Sequence, residues 1–174
     1  MYRRIPWLLL ALAAALLPVV LAMNVPRPLP DLVIPTPDGK RVRLQQYKGK
    51  VMAVMLFSTN CKECIASMEL LGRAQKQFAP RGFQALAAAV NIDAPEEIRS
   101  FVDRYRPPYP TGHLGQPELI KLADLAPNER PFVPIFIFVD KHAMIRFQYP
   151  GNDPIMKQQE KATMAIIDSL LKAN

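Results

Sequence analysis

The sequence predicts an α/β fold: a central mixed β-sheet flanked by helices, with an N-terminal β-hairpin extension. Three observations carry this reading. The apolar run Val51 to Phe57 has the length and composition of a strand buried on both faces. A second run, Ile135 to Val139, passes through the turn Asp140-Lys141-His142 into Met144 to Tyr149, which reads as its antiparallel partner. Between and after these runs, apolar residues recur at helical spacing, as at Ile65, Met68 and Leu71 and again at Ile167, Leu170 and Leu171. Strands alternating with helical stretches pack as sheet and helix layers.

The elements follow in order. Met1-Tyr2-Arg3-Arg4 and the apolar stretch Ile5 to Ala22 form a basic region followed by a hydrophobic one. Residues 1–22 are expected to be a signal peptide cleaved after Ala22, or an uncleaved membrane anchor. Pro6 and Pro18 shorten the uninterrupted apolar stretch, which favours cleavage. Both outcomes place the remainder outside the cytoplasm, periplasmic or otherwise extracytoplasmic, secreted or tethered. Pro26, Pro28 and Pro30 make residues 23–30 an expected extended linker. Residues 31–174 are then the folded domain.

Asp31 to Ile34, the turn around Asp38-Gly39, and Val42 and Leu44 alternating with Arg41 and Arg43 give the N-terminal hairpin. After the central strand, Ser58-Thr59-Asn60 leads to Cys61, which opens a helix running to Phe78 and ended by Pro80-Arg81-Gly82. Gln84 to Ile92 reads as a strand rich in alanine. Asp93 is placed to cap a helix with Pro95, Glu96 and Glu97 in its first turn and Ile98, Phe101, Val102 and Tyr105 on its apolar face. Pro107, Pro108 and Pro110 stop it. Thr111-Gly112-His113 is expected as loop, and Pro117 to Leu125 as a short helix. Pro150-Gly151 breaks the late hairpin before the amphipathic C-terminal helix.

Half of the 174 residues are hydrophobic, enough for a sizeable core. The net charge of +7 falls to +5 when Arg3 and Arg4 are set aside. No Lys/Arg run is interleaved with aromatics, so the pattern argues against nucleic-acid binding. The two histidines, His113 and His142, are far apart and read as surface residues. The methionines fall mostly on apolar faces and read as core.

There are two cysteines, Cys61 and Cys64, in one Cys-x-x-Cys. A bridge across two residues closes almost no loop, so its value is chemical rather than structural. A structural zinc site wants four ligands, and no second Cys-x-x-Cys or paired His motif is present. Disulfide exchange needs a thiolate attacker and a second thiol to resolve the mixed disulfide. Cys61, where a strand hands over to a helix, sits at the helix end that favours an anion. It is the expected nucleophile, and Cys64, one turn in, the expected resolving thiol. Lys62 would favour the thiolate and Glu63 oppose it, so both are expected to tune the pair.

The chain resembles the thioredoxin superfamily, and within it the TlpA/ResA-like extracytoplasmic thiol–disulfide oxidoreductases of the redoxin, or AhpC/TSA-like, kind. The resemblance rests on Leu32-Val33-Ile34, Asp38-Gly39-Lys40, Lys48-Gly49-Lys50-Val51, Leu56-Phe57-Ser58-Thr59, the two cysteines, and Val133-Pro134 with the strand and hairpin that follow. It covers residues 31–174 and implies a thioredoxin-like fold. It implies that Pro134 is a cis-proline facing the cysteines and that Val133 offers backbone hydrogen bonds to a bound chain. It implies protein thiol or disulfide substrates, action as a reductant (apocytochrome c in haem attachment among the family's substrates), and a membrane electron donor. No cofactor beyond the Cys61–Cys64 disulfide, no metal and a monomeric state are expected.

The sequence departs from the family at three places. Asn60 stands where Trp usually precedes the first cysteine, at the position expected to meet substrate. Glu63 replaces a common proline, and Met55 a buried acid that relays protons. Two other readings use the same cysteines. A copper-delivery protein of the SCO type would need a His ahead of the late strand, where this chain has Asn128-Glu129-Arg130-Pro131-Phe132. A thiol peroxidase would carry Pro and Thr before its cysteine, where Val54 and Ser58 stand.

Overall fold

The structure, a computed structural model, describes residues 25–173. The expected leader at 1–22 lies outside the described residues. Among those described, no helix is long and apolar enough to cross a membrane.

Among the described residues, eight strands and four α-helices follow one another: β1 (Arg27–Pro28), β2 (Val33–Pro35), β3 (Arg41–Arg43), β4 (Val51–Phe57), α1 (Lys62–Phe78), β5 (Phe83–Ala89), α2 (Ala94–Tyr105), β6 (Thr111–His113), α3 (Gln116–Ala123), β7 (Ile135–Val139), β8 (Met144–Tyr149) and α4 (Gln159–Lys172). The main sheet has the order β1-β8-β7-β4-β5-β6, and β2-β3 form a separate hairpin. β4, β5 and β6 run parallel, while β7, β8 and β1 pair antiparallel. The mixed sheet and the N-terminal hairpin are as expected.

β4 is central, and its period-two alternation divides the core. Val51, Ala53, Met55 and Phe57 face one apolar cluster with Met68 and Leu71 of α1, Phe101 of α2 and Ile167 of α4. Met52, Val54 and Leu56 face the other, with Ile34 and Val42 of the hairpin and Leu119 and Leu122 of α3. The alanines of β5 are buried on both faces. Small side chains there let α1 pack close over the sheet.

Four local readings change. Thr111-Gly112-His113, expected as loop, is β6, paired with Ala87 to Ala89; a three-residue strand with one apolar-neutral glycine at its centre shows no periodicity to read. Leu44 is buried as expected, but the chain leaves β3 there and turns through a short 3₁₀ helix to Tyr47. Asp93 precedes α2 as expected, yet its side chain makes no cap hydrogen bond. In the stretch expected as linker, Arg27–Pro28 adds an edge strand to β8, and Leu29 is buried with its N–H donating to Ala143 O at 2.9 Å. Arg27 also donates to Leu122 O at 2.9 Å.

Asp140 fixes the β7–β8 turn. Its Oδ1 accepts from the N–H groups of His142 and Met144 at 2.8 and 3.0 Å, and Oδ2 from Arg146 Nε at 2.6 Å. Burial works against ionisation, but the Met144 N–H, the Arg146 guanidinium and the His142 N–H together outweigh it and hold this carboxyl below its ordinary range. A carboxyl lowered on folding stabilises the fold above its unfolded pKa, and that contribution fades as the pH falls through the lowered value. Asp140→Ala is therefore expected to cost about 2 kcal/mol at neutral pH, chiefly from the two unpaired N–H groups. Urea melts of both proteins check it: the gap between them should narrow as the pH drops below about 4.

Candidate redox site

Ser58-Thr59-Asn60 carries the chain from buried β4 to α1. The Cys61 N–H donates to Ser58 O at 3.1 Å, and Ser58 Oγ to Asn60 Oδ1 at 2.7 Å. Cys61 is extended and sits at the N-cap of α1, where its Sγ accepts from the Cys64 N–H at 3.2 Å. Sulfur thus fills the role that a hydroxyl or carboxylate oxygen plays at most N-caps. The same N–H and the positive end of a 17-residue helix favour a thiolate there once the bond is reduced.

The two sulfurs are joined, with S–S 2.29 Å and Cα–Cα 5.2 Å. Cys64 is 0% exposed within the apolar cluster of α1, whereas Cys61 is only partly buried at its edge. Access to the pair is therefore through Cys61. Lys62 and Glu63 are exposed, and Glu63 Oε2 lies 3.9 Å from Cys61 Sγ. That carboxylate opposes the helix end, so two influences of opposite sign act on one sulfur. Met55 is fully buried in the cluster that holds Cys64.

The Val133–Pro134 peptide is cis, as the resemblance implied for Pro134. Val133, like Cys61, packs against the apolar cluster that contains Cys64. Gly151 holds this segment from behind, with its N–H donating to Phe132 O at 2.7 Å. A Cβ on Gly151 would sit 2.7 Å from Val133 O and 2.9 Å from Val133 C, so only glycine permits the approach. The sequence marked Pro150-Gly151 as a strand breaker and missed this contact.

Two further groups escaped sequence reasoning. Asn91 clamps the loop before Cys61: its Oδ1 accepts from the Thr59 N–H at 3.2 Å, and its Nδ2 donates to Thr59 Oγ1 at 2.9 Å and Glu97 Oε2 at 3.2 Å. Thr59 Oγ1 also donates to Glu97 Oε2. Buried Ser67, one turn beyond Cys64, donates to Glu63 O at 2.9 Å and accepts from Gln159 Nε2 at 2.7 Å, which ties α4 to the redox helix. The contacts that tie separate elements, Asn91 to Thr59 and Ser67 to Gln159, lie 32 and 92 residues apart, so no local pattern announces them.

His142 is exposed in the β7–β8 turn, and His113 lies partly buried in β6 beside a cavity of about 500 Å³ lined also by Asp38 and Arg99. Among the described residues, no group of three or more His, Cys, Asp and Glu side chains is arranged to hold a metal ion.

The fold and the disulfide at the head of α1 define a thioredoxin-like thiol–disulfide oxidoreductase. The chain belongs to the AhpC/TSA family, whose model matches residues 25–148. It is 24% identical over 133 residues to the thiol-disulfide oxidoreductase ResA of Bacillus thuringiensis subsp. konkukian, spanning 75% of this chain and 72% of that protein. It is 31% identical over 85 residues to the thioredoxin-like protein YneN of Bacillus subtilis, 47% of this chain and 48% of that protein. The crystal structure of a thioredoxin-family thiol:disulfide interchange protein from Chlorobium tepidum shares the fold with TM-score 0.69 and 24% identity, over 84% of this chain and 97% of that one. The expected superfamily and fold are borne out.

Proposed function

We propose that the protein reduces disulfides in protein substrates outside the cytoplasm, through Cys61 as nucleophile and Cys64 as resolving thiol. The observation that carries this is the asymmetry of the pair: one sulfur reachable at a helix N-terminus, the other fully buried behind it. In the proposed cycle the Cys61 thiolate attacks one sulfur of a substrate disulfide. A Cys61–substrate bond forms and the second substrate sulfur leaves as a thiolate. The Cys64 thiolate then attacks Cys61 Sγ, which releases the first substrate thiol and closes the Cys61–Cys64 disulfide. Two electrons have passed to the substrate, and a dithiol donor restores the pair. No cofactor is needed beyond these two sulfurs.

Val133, beside the cis-Pro134, is proposed to hydrogen-bond the substrate backbone while Asn60 meets it on the other side. Lys62 and Glu63 are proposed to set the potential through their opposite charges. The apolar leader and the likeness to ResA support an extracytoplasmic site, a membrane-borne electron donor, and apocytochrome c as one substrate. The test is a redox titration of the pair against defined thiol–disulfide couples. A potential below about −220 mV, the upper edge of the glutathione range, is expected for a reductant. A value near about −120 mV would make it an oxidant instead.

A further inference from the structure

Three large apolar side chains are exposed among the described residues: Ile92 at 95%, Phe132 at 59% and Tyr105 at 36%. All three border the redox end of the sheet. Phe132 immediately precedes Val133 and the cis-Pro134. Ile92 follows Asn91, whose side chain holds Thr59 two residues before Cys61. Tyr105 lines a cleft with Thr59 and Asn60. It also closes a second, mainly apolar groove of about 400 Å³, formed with Ile65, Met68, Gly72 and Pro108 and completed by the charged Glu69, Arg73 and Lys76. Ile65 is the residue after Cys64, and Tyr105 is shared with the cleft at Thr59 and Asn60, so this groove runs along α1 beside the redox end.

From this arrangement we infer that the groove is a subsite for a large apolar side chain next to the reacting cysteine of an extended substrate segment. The inference rests on the proposed exchange reaction. Cys64 is 0% exposed, so exchange obliges a partner chain to lie over Cys61. Through Tyr105 the groove adjoins the cleft at Thr59 and Asn60, just before the Cys61 that the partner chain must cover. Isolated exposed apolar residues are ordinary, but their gathering around one reactive group marks a binding surface. Asn60 supplies no flat apolar platform, and the ring of Tyr105 lines the same cleft. A folded partner would present few such side chains, whereas an unfolded or extended segment carries them freely. The occupant is therefore an extended polypeptide.

Gly72 provides the test. A Cβ there would make only ordinary contact, 3.5 Å from the Pro108 ring, so Gly72→Leu fills the groove without forcing the backbone. Replacing a mid-helix glycine by leucine also favours the helix. Reduced wild type and Gly72→Leu are assayed on two disulfide-bonded peptides that differ only in Leu or Ser beside the first cysteine, with dithiothreitol reduction of the oxidised protein as the chemical control. Wild type should prefer the Leu peptide about tenfold in kcat/KM. Gly72→Leu should lose that preference and keep both its rate on the Ser peptide and its control rate. Equal wild-type rates on the two peptides, or equal losses on both in the variant, would overturn the subsite. No exchange with either peptide while dithiothreitol still reduces the pair would overturn the exchange reading as well.

Discussion

Cys64→Ala is expected to leave the protein joined to its substrates. Cys61 keeps the features that activate it: the N-cap position, the partial exposure and the N–H of residue 64 directed at Sγ. Alanine at 64 retains that N–H and removes only a side chain that is 0% exposed among apolar neighbours. Attack on a substrate disulfide can proceed, while the step that frees the product cannot. In the wild type the resolving sulfur is one helical turn away, and well-oriented intramolecular groups act at effective concentrations of about 10⁵ M or more. An external thiol near about 1 mM cannot match that, so turnover should fall by at least about a thousandfold. Non-reducing gels and mass spectrometry of variant-expressing cells check it: mixed disulfides through Cys61 should accumulate. Cys61→Ala should trap nothing, because its remaining thiol is enclosed by the core. Adducts that form through Cys64 alone would reverse the assignment of the two roles.

The difference between what the sequence announces and what it hides follows from range. Val51 to Phe57 and Ile135 to Val139 are legible because strands buried on both faces must be apolar throughout. The redox helix is legible because Cys61 follows such a strand and Met68 and Leu71 keep a helical period. Pro134 is a different case. Nothing local fixes its peptide as cis, and only the resemblance pointed there. The clamp of Asn91 and Glu97 on Thr59 joins a loop to a helix start across the sheet's end, and each residue alone reads as ordinary polar surface. The departures noted in the sequence matter for the same reason. Met55 and Asn60 remove an acid and an aromatic ring, but which groups surround the cysteines instead is settled by packing. Glu63 at 3.9 Å, the Ser67–Gln159 tie and the apolar groove along α1 answer that question.

Gly112→Ala should be the most damaging small substitution in the scaffold. Gly112 is the middle residue of β6, paired with Ala88 of β5, and the β2 strand crosses over it. A Cβ at this position would run into the carbonyl oxygen of Pro35, meet Ile34 Cγ2 at 2.7 Å and the Pro35 carbonyl carbon at 2.9 Å. Neither neighbour can move aside cheaply. Ile34 is 0% exposed in the second core cluster, and Pro35 is fixed by the pairing of β2 with β3. The extra methyl must therefore lift the hairpin from the sheet or displace β6, and with either the cover over Val42 and Leu44 is lost. Overpacking against fixed backbone of this kind costs about 3 kcal/mol, equivalent to a melting temperature lower by about 10 °C. Gly39→Ala is the matching control. Gly39 has φ +84° and nothing within 4 Å of a Cβ, so alanine there meets only the left-handed backbone penalty of about 1 kcal/mol. Denaturant midpoints of the two variants separate crowding from backbone conformation: if Gly112→Ala is no worse than Gly39→Ala, β2 is not pressed onto β6, and the hairpin is an appendage rather than part of the packed body.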